Sequence, residues 1–153
     1  MKSFPNSWFK REAEMEFAGE IVEISRDVKD FKPTDQVFGF LPPIPVHAFR
    51  KKGVLAQYGA IPSQYLAHRL ESLTPQQASG ISLVGLTAYQ AMYELVDLQP
   101  GQTVFVNGGT TGVGIYAIQM AKSLGCRVIA AASGKNEEFL RGLGVDEVGS
   151  VSP

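Results

Sequence analysis

Cysteine is almost absent from this sequence of 153 residues, because Cys126 is the only one. A single cysteine excludes an internal disulfide bond and any zinc site that is built from several cysteines. It also fits a reducing compartment. The N-terminal segment lacks the apolar core of a signal peptide, so we expect a cytoplasmic location.

Excess charge of one sign and long apolar runs are lacking as well. The 14 Lys and Arg residues nearly balance the 15 Asp and Glu residues, and no basic block occurs. We therefore expect neither nucleic acid nor a membrane as a partner, and no apolar run is long enough to cross a bilayer. His47 and His68 lie apart, without clustered ligand residues, so no metal site is predicted.

Glycine, in contrast, is concentrated between a predicted strand and a predicted helix. Thr103 to Val106 is a β-branched and aromatic run, which favours a strand. Residues 107–114 follow with the sequence N-G-G-T-T-G-V-G, and a second apolar run occupies 128–132. Between them, apolar residues recur at helical spacing at Ile115, Ile118, Ala121 and Leu124. This order predicts a βαβ unit.

The glycine turn has the pattern of a phosphate-binding loop. Backbone N–H groups at a helix start lack intrahelical partners and the helix dipole is positive there, so a pyrophosphate fits if no side chain blocks it. In the frame G-x-G-x-x-G, Thr111 replaces the middle glycine, and Gly112 can share its role. The same glycines also fit a tight turn without a ligand. The candidate cofactor-binding residues of the loop are Gly109, Thr110, Thr111, Gly112, Val113 and Gly114.

The part of the chain before this unit contains short strands separated by proline and glycine turns. Together they indicate a small barrel or sandwich. The predicted strands are Phe17–Ile24, Gln36–Leu41, Val54–Ile61 and Gln64–His68.

Helices are predicted between these strands and the βαβ unit. Thr74 and Pro75 have the residue types of an N-cap and a first helical position. Residues 82–96 form a helical stretch with few charges, which should be largely buried.

Five ordered segments resemble the medium-chain dehydrogenase/reductase superfamily, and more narrowly its zinc-independent quinone oxidoreductase and enoyl reductase branch. They are E-F-A-G-E-I-V (16–22), D-F-K-P-T-D-Q-V-F-G (30–39), L-V-G-L-T-A-Y-Q-A-M (83–92), the glycine loop (106–114) and V-I-A-A-A-S-G-K-N (128–136).

The resemblance implies an α/β fold in three parts: a partial GroES-like β domain (1–75), connecting helices (76–100), and the first βαβ part of a Rossmann-type parallel sheet in a partial NADP-binding domain (101–153). It also implies hydride transfer from NADPH to a quinone, an enone or an enoyl-type substrate.

Catalytic zinc is not expected. The zinc-dependent relatives carry a G-H-E motif whose His binds the metal, and the aligned residues here are Glu14, Met15 and Glu16. A thioether is a poor zinc ligand, because zinc prefers thiolate, imidazole and carboxylate.

The residues after the second apolar run favour NADP(H) over NAD. An NAD site usually has a carboxylate about 20 residues beyond the glycine loop, on the ribose 2′-hydroxyl. Residues 131–136 contain none; Ser133 can donate a hydrogen bond and Lys135 supplies positive charge. Similar enzymes use a Ser and a Lys at these places for NADPH. The alternative is a plain turn with Lys135 in solvent.

No catalytic residue is predicted. The resemblance implies that Thr87 and Tyr89 lie near the nicotinamide, and for Tyr89 packing in the helix core fits equally well. Tyr58, Tyr65 and Tyr89 are phenols that could donate a proton, and no spacing selects one of them.

Compared with the family, the chain begins after the first strands and ends before most of the Rossmann-type sheet. We therefore expect a fragment with an open edge at strand 103–106 and exposed apolar surface, which associates with a second copy or a complementing fragment. The alternative is a non-catalytic truncated paralogue that acts as a nucleotide-binding or interaction protein.

Overall fold

A computed structural model of the chain describes residues 14–42 and 53–150, without the side chain of Ser150. The chain separates into two compact units, Met1–Leu83 and Val84–Pro153. This boundary lies inside the stretch 76–100 that we predict to connect two domains, and the finer three-part division stays a prediction.

The first unit contains an antiparallel sheet. Its strand order is β1-β2-β3, with Phe17 opposite Gly39 and Phe38 opposite Ala67. A Cβ on Gly39 would lie 2.0 Å from the carbonyl oxygen of Tyr65, so only glycine fits this position. The elements are β1 (Glu16–Glu20), β2 (Gln36–Phe40), a 3₁₀ turn (Ser63–Tyr65), β3 (Leu66–His68) and helix α1 (Pro75–Ser79).

The strand predicted at Val54–Ile61 is wrong. The amide of Ala56 donates to the carbonyl of Val54 over 2.9 Å, which makes a tight three-residue turn instead of an extended run. The side chain of Tyr58 is 70% exposed, so the apolar alternation of this segment does not correspond to a buried face.

The predicted start of α1 is confirmed. Thr74 is the N-cap, and its hydroxyl accepts from the amide of Gln77 over 3.2 Å while the Gln77 side chain accepts from the amide of Thr74 over 2.9 Å. This reciprocal capping box, with Pro75 at the first helical position, satisfies amides that the helix itself leaves unpaired.

The second unit contains a parallel sheet with the strand order β4-β5-β6, so the predicted βαβ unit is confirmed and extended by a third strand. Its elements are α2 (Val84–Tyr89), which continues into a π-helical turn (Gln90–Leu95), β4 (Thr103–Asn107), α3 (Gly112–Ser123), β5 (Arg127–Ala132), α4 (Glu137–Gly142) and β6 (Glu147–Ser150).

The core of this unit lies between the sheet and its helices. Ile118 of α3, Val128 of β5 and Leu140 of α4 are fully buried. The helical stretch 82–96, which we predict to be largely buried, is buried only in part. Ala88 and Met92 join the core, whereas Leu95 is 82% exposed. The buried residues Gly85, Ala88 and Met92 recur at helical spacing, so only one stripe of this stretch is covered.

The predicted exposed apolar surface is present. Strand β4 lies at an edge of the three-stranded sheet, and the side chain of Phe105 in its middle is 63% exposed. Association through this surface stays a prediction. No helix within the described ranges 14–42 and 53–150 has both the length and the apolar character for a membrane span.

Asp146 connects β5, β6 and α3. Its carboxylate oxygen Oδ2 accepts from Lys122 Nζ over 2.8 Å and from the amide of Val128 over 2.7 Å, and its own amide donates to the carbonyl of Val128. The hydrogen bond from Lys122, and then that from Val128, lowers the pKa of Asp146 below its ordinary value of 3.8.

We expect Asp146→Asn to weaken the acid dependence of stability. Because the folded-state pKa is lowered, the charged carboxylate stabilises the fold above its ordinary pKa of 3.8, and this contribution is lost as the pH falls through the lower folded value. Melting temperatures between pH 7 and pH 3 should therefore fall less steeply in the variant. Glu147→Gln is the control, since Glu147 makes a surface ion pair with the exposed Arg127. If the melting temperatures of Asp146→Asn and the wild type fall equally steeply with pH, the Asp146 carboxylate does not contribute to the acid dependence of stability.

Candidate nucleotide site

The glycine loop lies at the carboxyl ends of β4 and β5. Gly108 follows β4 with a φ of +76°, which is the left-handed region that favours glycine. The amide of Gly109 then donates to the carbonyl of Ala131 at the end of β5 over 3.0 Å. This edge of a parallel sheet is where ligands bind in open α/β folds.

Thr111, which replaces the middle glycine, is the N-cap of α3. Its backbone is extended (φ −75°, ψ 157°), and its Oγ1 accepts from the amide of Gly114 over 3.1 Å. The same hydroxyl donates to the carbonyl of Gly108 over 2.8 Å. The threonine side chain therefore holds the turn together and satisfies one amide of the helix start.

Other amides of the loop have no protein acceptor. Within the described residues, the amides of Thr110, Gly112 and Val113 donate to no atom of the chain. Gly112 and Val113 are the first two residues of a helix of 12 residues, so their N–H groups stand at its positive end. Two parallel unpaired donors at this place are suited to an anion.

The glycines of the loop are also required by packing. A Cβ on Gly114 would lie 2.3 Å from the carbonyl oxygen of Gly108, and one on Gly109 would lie 3.0 Å from Ala130 Cβ. A Cβ on Gly112 would lie 3.2 Å from Val84 Cγ1 of α2. The glycine pattern by itself therefore fits both alternatives, with and without a ligand, and the unpaired amides leave room for the first of them.

Ser133 and Lys135 lie at the same edge of the sheet as the loop. They follow β5, whose Ala131 pairs with Asn107 at the end of β4, and both are exposed. No carboxylate lies between Ala131 and Asn136. The next acid, Glu137, is paired with Arg141, with its Oε1 2.7 Å from Nη2. Between Ala131 and Asn136 the one charged side chain is therefore the ammonium group of Lys135.

Comparison with known proteins gives the family. No family model matches the sequence. A chloroplastic quinone oxidoreductase of Triphysaria versicolor is 35% identical over 136 residues, covering 86% of this chain and 40% of that protein. A mitochondrial NAD(P)H oxidoreductase of Danio rerio is 36% identical over 135 residues, covering 86% and 33%. A trans-enoyl reductase of Aspergillus terreus is 36% identical over 140 residues, covering 88% and 38%.

The fold agrees with a solved structure. An alcohol dehydrogenase superfamily protein from Novosphingobium aromaticivorans superposes with a TM-score of 0.80 at 36% identity, over 91% of this chain and 41% of that one. The chain belongs to the medium-chain dehydrogenase/reductase superfamily. Its relatives are quinone oxidoreductases and enoyl reductases of the zinc-independent branch, and it spans 33% to 40% of the length of the three curated ones above.

Thr87 lies one turn after Val84 on α2. Residues three apart share a helix face, and Val84 is the residue that faces Gly112. Thr87 is exposed on that helix. Its position relative to the loop is compatible with the predicted role near the nicotinamide, which stays a prediction.

Metal ligands do not cluster in residues 14–42 and 53–150, where no group of three His, Cys, Asp or Glu residues could hold an ion. His68 has a structural environment: its Nε2 lies 3.3 Å from the carbonyl oxygen of Asp30, and its ring centroid lies 4.8 Å from that of Phe31. His47 lies outside the described residues.

The structure singles out no catalytic phenol. Tyr89 is in contact with Tyr93, with ring centroids 5.0 Å apart, but it is 46% exposed, so it does not lie in the helix core that the packing alternative expects. Two features of the site went unrecognised in the sequence. They are the capping role of Thr111, which its position before a helix could have indicated, and a hydrogen bond from the side chain of Asn136 to Ser133.

Proposed function

We propose that the chain binds NADP(H) and forms part of an oxidoreductase that reduces a quinone, an enone or an enoyl-type substrate. The observation that carries the proposal is the pair of unpaired amides at Gly112 and Val113, on the edge of the sheet that also presents Ser133 and Lys135. The printed names of the relatives, a quinone oxidoreductase, an NAD(P)H oxidoreductase and a trans-enoyl reductase, support the reaction class.

Each part of the dinucleotide has candidate partners in the chain. The amides of Gly112 and Val113 would hold the pyrophosphate, and Thr111 would keep the loop in shape around it. Ser133 and Lys135 would hold the adenosine 2′-phosphate, and Thr87 would lie toward the nicotinamide. When bound, the nicotinamide supplies the hydride, and the protein supplies orientation and electrostatics.

The preference for NADP(H) follows from charge. A carboxylate after the second strand would hydrogen-bond a ribose 2′-hydroxyl and repel a 2′-phosphate. This chain has a serine hydroxyl and an ammonium group there instead, and hydrogen bonds that involve charged groups are about twice as strong as neutral ones. The relatives are named as enzymes, which does not favour the alternative of a non-catalytic truncated paralogue that acts as a nucleotide-binding or interaction protein.

We expect Lys135→Gln to weaken NADPH binding about tenfold and to leave NADH binding within about twofold, because one exposed charge contact is worth roughly 1 kcal/mol or slightly more. Isothermal titration of the chain with each nucleotide measures both constants. Lys29→Gln, which removes an exposed lysine from the first unit, is the control.

Two results would count against the proposal in different ways. Equal affinity of the wild type for NADH and NADPH would contradict the proposed preference for NADP(H), but it would still agree with a dinucleotide site. If neither nucleotide binds, the proposal of a dinucleotide site is contradicted. NADPH oxidation with a quinone or an enone as acceptor tests the reaction.

A further inference from the structure

Asn136 makes two hydrogen bonds to Ser133. Its backbone amide donates to the carbonyl of Ser133 over 2.9 Å, and its side-chain Nδ2 donates to Ser133 Oγ over 2.8 Å. Ser133 stands at the N-cap of the turn Gly134–Asn136, yet its hydroxyl accepts from no backbone amide there. Within the described residues, the side-chain amide of Asn136 is therefore the partner of this hydroxyl.

This contact fixes what the serine hydroxyl can do. A carboxamide NH₂ group can only donate, whereas a hydroxyl has one proton and two acceptor positions. Because Asn136 occupies an acceptor position of Ser133 Oγ, the proton of the hydroxyl remains available for a group outside the chain. A hydroxyl that is held in this way is a hydrogen-bond donor, and the group that fits it best is an acceptor with negative charge.

We infer that Asn136 is a positioning residue that orients the Ser133 hydroxyl as a donor toward the 2′-phosphate of the cofactor, and so contributes to the choice of NADP(H) over NAD. The inference rests on the proposed function and adds a residue to it. Lys135, which lies between the two residues in sequence, would attract the 2′-phosphate by its charge. The Asn136–Ser133 contact would orient a hydrogen-bond donor toward it.

The inference predicts a change in the ratio of two affinities. In Asn136→Ala the hydroxyl rotates freely, and the preference for NADPH over NADH should fall about fivefold, a fraction of the value of one charge-assisted hydrogen bond. In Asn136→Asp the carboxylate accepts the proton of Ser133 and repels the phosphate, so the preference should fall about a hundredfold. NADH affinity should change by less than about threefold, since its ribose 2′-hydroxyl carries no charge.

The experiment titrates the full chain with NADPH, NADH and 2′,5′-ADP and compares the wild type with Asn136→Ala, Asn136→Asp and Ser133→Ala. Glu138→Gln is the matched control, because it changes the charge of an exposed residue two positions further on and leaves the Asn136–Ser133 contact intact. Melting curves by circular dichroism show whether each variant is folded. The inference is supported if Asn136→Ala loses part of the preference for NADPH over NADH and Asn136→Asp loses more of it.

Other outcomes would overturn it. If the wild type prefers NADPH and both Asn136 variants keep that preference, Asn136 does not orient the hydroxyl, and the cofactor proposal stands without it. If NADH and NADPH affinities fall together in folded variants, Asn136 supports the loop in general and not the phosphate. If the wild type shows no preference, the NADP(H) proposal falls and this inference falls with it.

Discussion

Gly114→Ala should lower the free energy of unfolding of the second unit by about 3 kcal/mol. The added Cβ would lie 2.3 Å from the carbonyl oxygen of Gly108 and 3.0 Å from Thr111 Oγ1. Neither neighbour is the end of a flexible side chain, because the first is backbone and the second is held by two hydrogen bonds. Overpacking of this kind typically costs about 1–3 kcal/mol, and a backbone neighbour places it at the upper end.

Denaturant unfolding followed by circular dichroism measures the loss, and hydrogen exchange at the buried Val128 assigns it to this unit. Gly142→Ala is the matched control. Gly142 ends α4 and is not at positive φ, and a Cβ added there would meet no atom within 4 Å. This change should leave stability unaltered or raise it by up to about 1 kcal/mol, because alanine is the better helix former. A Gly114→Ala protein as stable as the wild type would show that the loop can move aside.

The second large effect concerns binding. Gly112→Pro should weaken the binding of both NADPH and NADH about a hundredfold relative to Gly112→Ala. Proline removes one of the two unpaired amides at the start of α3, and a hydrogen bond to a charged group is worth about 1.5–3 kcal/mol, which is roughly 10- to 150-fold in affinity. The helix tolerates proline at its first position, and the preceding Thr111 already has the extended backbone that proline requires.

Gly112→Ala is the control because it adds the same Cβ, 3.2 Å from Val84 Cγ1, and keeps the amide. Titration with both nucleotides distinguishes the two ends of the cofactor. Loss of the amide should affect NADH and NADPH equally, since both contain the pyrophosphate, whereas changes at Lys135 should affect NADPH alone. If Gly112→Pro and Gly112→Ala bind equally well, the amide of Gly112 does not contact the pyrophosphate.

The parts of the fold that the sequence predicts are those in which local patterns and packing agree. The β-branched strand β4, the apolar face of α3 and the capping residues of α1 each have a short-range physical cause. The sequence predicts the loop residues as a set from the glycine pattern; close packing explains Gly109 and Gly114, and cofactor binding by the loop stays a prediction. The prediction that Ser133 and Lys135 bind the 2′-phosphate remains to be tested.

Other features depend on contacts that no local pattern reveals. Val54–Ile61 has the composition of a strand, but the turn at Ala56 and the exposure of Tyr58 determine its conformation. Stretch 82–96 has few charges, yet only the stripe formed by Gly85, Ala88 and Met92 is buried. Similarly, the sequence shows Asn136 as one more polar residue in a turn, and only the 2.8 Å contact to Ser133 Oγ gives it a role.

Thr111 completes its turn with its own hydroxyl, so the loop keeps its shape before any cofactor arrives. Packing requires Gly109 and Gly114 whether or not a nucleotide binds, since a Cβ added at either would lie within 3.0 Å of a neighbouring atom. A glycine fingerprint therefore records ancestry more faithfully than present use. In paralogues, a proline or a bulky residue at position 112 is therefore a better indicator of lost nucleotide binding than a change in the glycine pattern.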